Sequence, residues 1–276
     1  MLIEFTKMQG LGNDFVVIDA IRQKINLSHR DIRFIADRHF GVGCDQILLV
    51  EYAEGSHADF RYRIFNADGS EVAQCGNGAR CFARFIRDKR LSYKENILVD
   101  TLAGQLLLTF DDNHLITVNM GIPQHKPVLI PVRSEQEQKF YTVNIDGTER
   151  AFGAVSIGNP HAVLEVADIQ FAAVESLGEA LESHPFFPER VNVGFMQVLN
   201  RKAIKLRVYE RGAGETLACG SGACAAVIIG IEHKLLDNDV VVELPNGELK
   251  IHWQGRDTPV FMTGTATSVF EGSIEL

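Results

Sequence analysis

Apolar positions recur along the chain with two periods. Short alternating or continuous apolar runs at residues 15–18, 47–50, 60–65, 97–99, 106–110 and 115–118 predict strands, the last two joined by Asp111-Asp112-Asn113 as a hairpin. Between them, Ser28 stands three residues before Asp31 in a capping-box pattern, and Ile32, Ile35 and Ala36 give the helix that follows an apolar stripe. A second helix after Cys75 carries Ala79, Phe82, Ala83 and Ile86 on one side and Arg80, Arg84 and Arg87 on the other, so it should pack through one face.

The second half repeats this order. Strands are predicted at residues 143–145 and 151–157, a turn at Gly158-Asn159-Pro160-His161, and a helix from Asp168 to about Leu181. Arg190-Val191-Asn192-Val193-Gly194 leads into a strand as Gly41 to Gln46 does in the first half. Residues 223–231 are apolar all round, which predicts a helix buried on every side. Strands at residues 240–244 and 248–253 flank Pro245-Asn246-Gly247, a strong hairpin signal.

The repeat is closest around two cysteines. Arg63, Glu71, Cys75, Gly76, Gly78 and Ala79 recur 144 residues later as Arg207, Glu215, Cys219, Gly220, Gly222 and Ala223, without a gap. Gly12-Asn13 recurs 146 residues later as Gly158-Asn159. The fold class expected is mixed α+β, two pseudo-symmetric domains in which a barrel-like sheet wraps a central helix, with an active site in the cleft between them. The domain boundaries expected are 1–119 plus 265–276 for the first and 120–264 for the second.

Composition narrows the classes of function. Among 276 residues, 46% are hydrophobic and 23% charged, as in globular proteins, and a net charge of −9 argues against nucleic-acid binding. No stretch is apolar enough to span a bilayer, and the N-terminus has no leader pattern, so a cytoplasmic protein is expected. Five cysteines, an odd number, point to reduced thiols.

Each repeated cysteine opens a helix, where unpartnered N–H groups and the helix dipole ease ionisation of a thiol and can hold an anion. Cys44, Cys81 and Cys224 read as buried packing residues. A zinc site fails on direction, since at about 100° per residue Cys81 lies roughly 240° around the helix from Cys75. A Walker loop fails because no Lys follows either glycine pair, and a phosphatase loop because Arg80 comes five residues after Cys75 and has no counterpart after Cys219. A Cys–His acyl transferase using His161 would need only one cysteine. Two equivalent thiols suit proton transfer at a carbon, one removing a proton and the other returning it on the opposite face, with helix N-termini stabilising the carbanion. Neither a lysine site for pyridoxal phosphate nor a Rossmann fingerprint is present, so no cofactor is expected, and no metal.

The chain closely resembles the diaminopimelate epimerases, of the cofactor-independent amino-acid racemase and epimerase group. The resemblance rests on residues 10–15, 43–46, 65–70, 75–81, 158–161, 191–192, 210–212 and 219–222, which extend over nearly the whole length. It implies an isomerase that interconverts L,L- and meso-diaminopimelate in lysine and cell-wall precursor biosynthesis. It also implies Cys75 and Cys219 as the acid–base pair, with Glu210 and His161 supporting catalysis. Gly76, Asn77, Gly220 and Ser221 would bind the reacting carboxylate, and Asn13, Gln46, Asn66, Asn159, Asn192, Glu210 and Arg211 the rest of the substrate. A homodimer is implied as well, although Phe270 stands where many family members carry a tyrosine at the subunit contact. Two alternatives remain: a proline or hydroxyproline racemase of the same architecture, and an amino-acid-binding module that uses the helix starts only as an anion cradle.

Overall fold

The structure, a computed structural model, describes residues 1–55, 57–73, 75–111 and 115–276. Of the predicted turn at Asp111-Asp112-Asn113, Asp112 and Asn113 lie outside the described residues. The chain divides into two compact units, Met1–Asn119 with Thr263–Leu276, and Met120–Met262.

In the first unit, β1 (Leu2–Gly10) turns tightly into β2 (Asn13–Asp19), and both turn residues, Leu11 and Gly12, have positive φ, the geometry that matches strand twist in two-residue hairpins. Helix α1 (His29–Ala36) then crosses over to β3 (Gln46–Tyr52), which lies parallel to β2. Its capping box is closed in both directions, with Ser28 bonded to the Asp31 backbone and Asp31 to that of Ser28. Antiparallel β4 (Phe60–Asn66) and the short β5 (Glu71–Val72) lead to helix α2 (Gly76–Asp88). A second crossover brings β6 (Asn96–Thr101) parallel to β4, followed by antiparallel β7 (Gly104–Phe110) and β8 (Ile116–Asn119). The chain's last strand, Thr267–Glu275, returns antiparallel to β1.

The unpatterned apolar run of β2 has a physical reason. Val16 and Ile18 pack beneath α1 with Ile32, Ile35 and Ile47, while Phe15 and Val17 on the opposite face are equally buried. Helix α2 lies against β1, β2, β3, β4, β7, β8 and the last strand, so the sheet encloses it. This corrects the expectation that α2 packs through one face: Arg80, on the side opposite the apolar residues, is fully buried. An apolar stripe identifies a core-facing side, but it cannot show that the remaining sides are covered too.

The second unit reuses the order. Strand β9 (Tyr141–Ile145) pairs with β10 (Thr148–Ser156), and β10 runs antiparallel to β11 (Pro160–Glu165). The crossover after β11 holds a 3₁₀ turn, Ile169–Phe171, and then α3 (Val174–Glu182); the helix predicted from Asp168 therefore starts later, after the turn that Asp168 caps. β12 (Asn192–Asn200) is parallel to β11, and β13 (Ala203–Glu210) and β14 (Gly214–Thr216) follow as antiparallel partners. Helix α4 (Gly220–Glu232) leads to β15 (Asp239–Leu244), parallel to β13, and to its hairpin partner β16 (Gly247–His252). Residues 222–230 of α4 are all buried, against β10, β11, β12, β13, β15 and β16. The helix approaches β10 so closely that a Cβ on Gly153 would sit 2.4 Å from an Ile229 methyl.

Candidate active site

Each unit builds its own cysteine turn in the same way. In the first, Arg63 of β4 forks onto Glu71 of β5 with Nε and Nη2 contacts of 2.7 and 2.9 Å; in the second, Arg207 of β13 grips Glu215 of β14 at 2.6 Å twice. These planar two-point bonds hold the strand, turn and helix start together. Cys75 and Cys219 follow as the N-caps of α2 and α4, both in extended backbone conformation. The helices' first N–H groups thus begin at Gly76-Asn77 and Gly220-Ser221.

Around Cys75 the partners are amides. Its sulfur accepts from the Gly78 N–H at 3.5 Å and lies 3.8 Å from Asn13 Oδ1. Asn77 Nδ2 donates to the same Asn13 oxygen at 3.4 Å, and Asn13 Nδ2 donates to Asp45 Oδ2 at 2.9 Å. Gln46 and Asn66 face one another on paired strands, Gln46 Nε2 donating to Asn66 Oδ1 at 2.9 Å. Below them Arg38 and Lys7 converge on Asp14; burial works against the charge, but their bonds hold the Asp14 carboxyl well below the usual carboxylate range.

Around Cys219 the partner is a carboxylate. The thiol donates to Glu210 Oε2 at 3.1 Å, and Ser221 Oγ is 3.6 Å from the sulfur. Thr216 hydroxyl bonds the other Glu210 oxygen. Burial first, and then the Glu210 charge, push the Cys219 thiol well up. Asn159 connects Ser221 Oγ, at 3.2 Å, with His161 Nε2, at 3.0 Å. His161 is 1% exposed, and burial, helped by the Arg211 charge, lowers its pKa to about 3, so the ring is neutral.

The remaining expected residues divide by what engages them. Asn192 is buried and both ends of its amide are taken by backbone, Nδ2 donating to Pro160 O at 2.9 Å and Oδ1 accepting from Arg211 N at 3.0 Å. It thereby fixes the Arg211 backbone. The Arg211 side chain is exposed and donates to Glu189 O. Within the first unit, Asn13, Asn77 and Cys75 form one connected group, beside the Gln46–Asn66 pair. Within the second, Cys219, Glu210, Ser221, Asn159 and His161 form another. Sequence reasoning missed Asp45, Arg80 and Glu182. The last is a buried carboxylate accepting from Gly212 N at 2.9 Å that steadies the Arg211 loop, and an acidic residue at a helix end gave no signal of it. Among the described residues no His, Cys, Asp and Glu cluster is arranged to hold a metal.

The fold is that of a wider class. A phenazine biosynthesis protein of the PhzF family from Bacillus anthracis superposes with a TM-score of 0.72 at 17% identity, covering 100% of both chains. A hydroxyproline epimerase from Agrobacterium vitis, solved with trans-4-hydroxy-L-proline, gives 0.73 at 15% identity over 99% of this chain and 92% of that one. At this identity the likeness is one of fold. Sequence is more particular: the family model described as diaminopimelate epimerase matches residues 5–126 and 153–269. Diaminopimelate epimerases of Nitrosomonas europaea and Teredinibacter turnerae are 56% and 54% identical over 276 residues, covering 100% of both chains in each comparison. The chain belongs to the diaminopimelate epimerase family.

Proposed function

We propose that the chain is an isomerase that interconverts L,L- and meso-diaminopimelate, moving one proton at one α-carbon between two sulfurs. One thiolate takes the α-proton and becomes a thiol; the other thiol gives its proton to the opposite face of the carbanion and becomes a thiolate. No electrons are exchanged. The observation that carries this reading is the repeated cysteine at a Gly-x-Gly-Ala helix start, in a chain of this family.

The chemistry of each half supports the assignment. Cys219 donates to a carboxylate at 3.1 Å, so Glu210 is within reach to take or return its proton. Cys75 has an amide oxygen and a helix N–H around its sulfur, and neither takes a proton away. The N–H groups at Gly76-Asn77 and Gly220-Ser221 offer fixed positive potential to the substrate's reacting carboxylate, where the carbanion's charge spreads. Asn13, Gln46, Asn66, Asn159 and Arg211 supply donors and acceptors for the ammonium groups and the distal carboxylate, and Asn192 orients Arg211. Neutral His161, bonded to Asn159, orients that amide and steers protons without adding charge.

The protein works as a cytoplasmic homodimer in this reading. Reduced thiols belong in a reducing compartment. Phe270 and Val269 lie exposed on the last strand, Phe270 edge-on to Phe5 at 6.0 Å, and offer an apolar contact for a second copy. Sedimentation of the protein and of Phe270→Ala tests this: a wild-type monomer at micromolar concentration would end the dimer claim.

The test of function is exchange in heavy water. With L,L-diaminopimelate the protein should wash deuterium into the inverted α-carbon, and Cys75→Ala and Cys219→Ala should each abolish interconversion. Turnover of proline but not of diaminopimelate would select the racemase alternative. Binding of diaminopimelate without any exchange would make the chain a binding module.

A further inference from the structure

We propose that Asp45 and Arg80 are positioning residues that fix the Asn13 amide with its oxygen toward Cys75, so that the sulfur meets an acceptor and rests as a thiol. An asparagine amide is nearly symmetric in shape, and only its partners decide which end is oxygen. Here the partners at both ends of a short chain of bonds have no choice. Arg80 is fully buried and donor-only, and its Nη2 donates to Asn77 Oδ1 at 3.0 Å while Nε is tied to Thr265 O at 3.0 Å. The guanidinium fits there because β1 carries Gly10, where a Cβ would lie 3.3 Å from Nη2.

With its oxygen held by Arg80, Asn77 presents Nδ2 to Asn13 Oδ1. At the other end the Asp45 carboxylate, braced by Arg38 at 2.8 Å, only accepts, and it takes Asn13 Nδ2 at 2.9 Å and Asp14 N at 3.1 Å. Asn13 is therefore locked from both sides with its oxygen toward the Cys75 sulfur. The Gly78 N–H and the positive helix end favour a thiolate at Cys75; the Asn13 oxygen opposes them. A reversed amide would turn N–H toward the sulfur and act with the helix.

The other titratable groups around this cysteine do not replace the lock. Tyr62 of β4, which donates to Cys75 O, is pushed well up by burial, and burial pushes Cys81 of α2 up to about 12, so both stay neutral. On the same helix Arg80 spends bonds on Asn77 and Thr265, while Arg84 bonds Asp88 and Arg87 the Lys94 carbonyl. The second unit has no equivalent lock, because the residue 144 positions after Arg80 is Cys224.

The proposal deepens the two-thiol reading and rests on it for its catalytic meaning, but its test does not use turnover. Alkylation of Cys75 by iodoacetamide, followed peptide by peptide across pH in the full chain, gives the midpoint of its ionisation. Asp45→Asn, which can donate as well as accept, frees Asn13 to reverse, and the midpoint should fall by about one pH unit, the worth of one hydrogen bond. In an Asn13→Ala background the same substitution should move nothing. An unmoved midpoint overturns the proposal, and so does an equal shift in both backgrounds, which would mean that Asp45 acts on the sulfur by charge alone. Should Asp45→Asn not fold, nuclear Overhauser contacts in the wild-type protein decide: Asn13 side-chain N–H protons near the Asp14 amide proton support the lock, and the same protons against the Cys75 β-protons overturn it.

Discussion

A neutral histidine buried in the second unit makes that unit's stability depend on pH in a direction that can be worked out beforehand. His161 has a pKa of about 3 in the fold against 6.5 for the ordinary side chain, first because it is buried and then because of the Arg211 charge. Between those values the unfolded chain binds a proton that the native state refuses, so stability is full above the unfolded value and is lost as pH falls toward the folded one. At about 1.36 kcal/mol per unit, the loss from this residue between about pH 7 and about pH 5 is roughly 2 kcal/mol. His161→Gln keeps a donor for Asn159 Oδ1 and removes the titration. The assay is urea unfolding followed by fluorescence of Trp253, the chain's single tryptophan, 1% exposed and in the same unit as His161. The wild type should lose about 2 kcal/mol more than the variant over this pH interval. Parallel losses would refute the argument, because they would mean that His161 is protonated as readily in the fold as outside it.

Other substitutions test neighbouring parts of the same reasoning. Glu210→Gln removes the negative charge that helps keep Cys219 protonated, so the thiolate absorbance of Cys219 should begin at lower pH than in the wild type; an unchanged onset would mean that burial alone sets it. Gly78→Ala puts a methyl 2.6 Å from Tyr62 Oη in a buried spot behind the Cys75 turn and should cost about 1–3 kcal/mol, read as a lower Tm by calorimetry, and an unchanged Tm would show that Tyr62 yields freely. Arg207→Met breaks the two-point bond to Glu215; because both side chains are partly exposed, solvent limits the loss to about 1 kcal/mol in the Trp253-monitored unfolding, and a loss several times larger would mean that the turn depends on this bond alone.

The elements legible in the sequence are those whose environment their own pattern reports. The capping box at Ser28 and Asp31 needs only local partners, and α1 starts where it predicts. The apolar circumference of α4 is itself the statement that the helix has no exposed side, and its residues 222–230 are buried. Arg80 was not legible, because charge on a helix opposite an apolar stripe reads as solvated. Its burial depends on Thr265, a carbonyl 185 residues away in sequence. The Arg–Glu forks were visible as residues coinciding in both copies, yet nothing in the spacing distinguishes a structural brace from chance. The direction of each asparagine amide is invisible in sequence altogether, since it is decided by donors and acceptors brought from other strands.

The duplicated scaffold makes two cysteine turns that are alike in backbone but unlike in chemistry, and the difference traces to single positions. Asn66 and Glu210 stand 144 residues apart at matching ends of β4 and β13. Asn66 spends its amide on Gln46 and Ser70, whereas Glu210 reaches the Cys219 sulfur. Asn13 and Asn159 likewise occupy matching turns, but Asn13 faces Cys75 while Asn159 bridges Ser221 and His161. A carboxylate beside a thiol can accept its proton, while an amide oxygen can only hold it in place. One sulfur thus faces a charged acceptor and the other a neutral one, so a fold that repeats itself gives its two cysteines different surroundings.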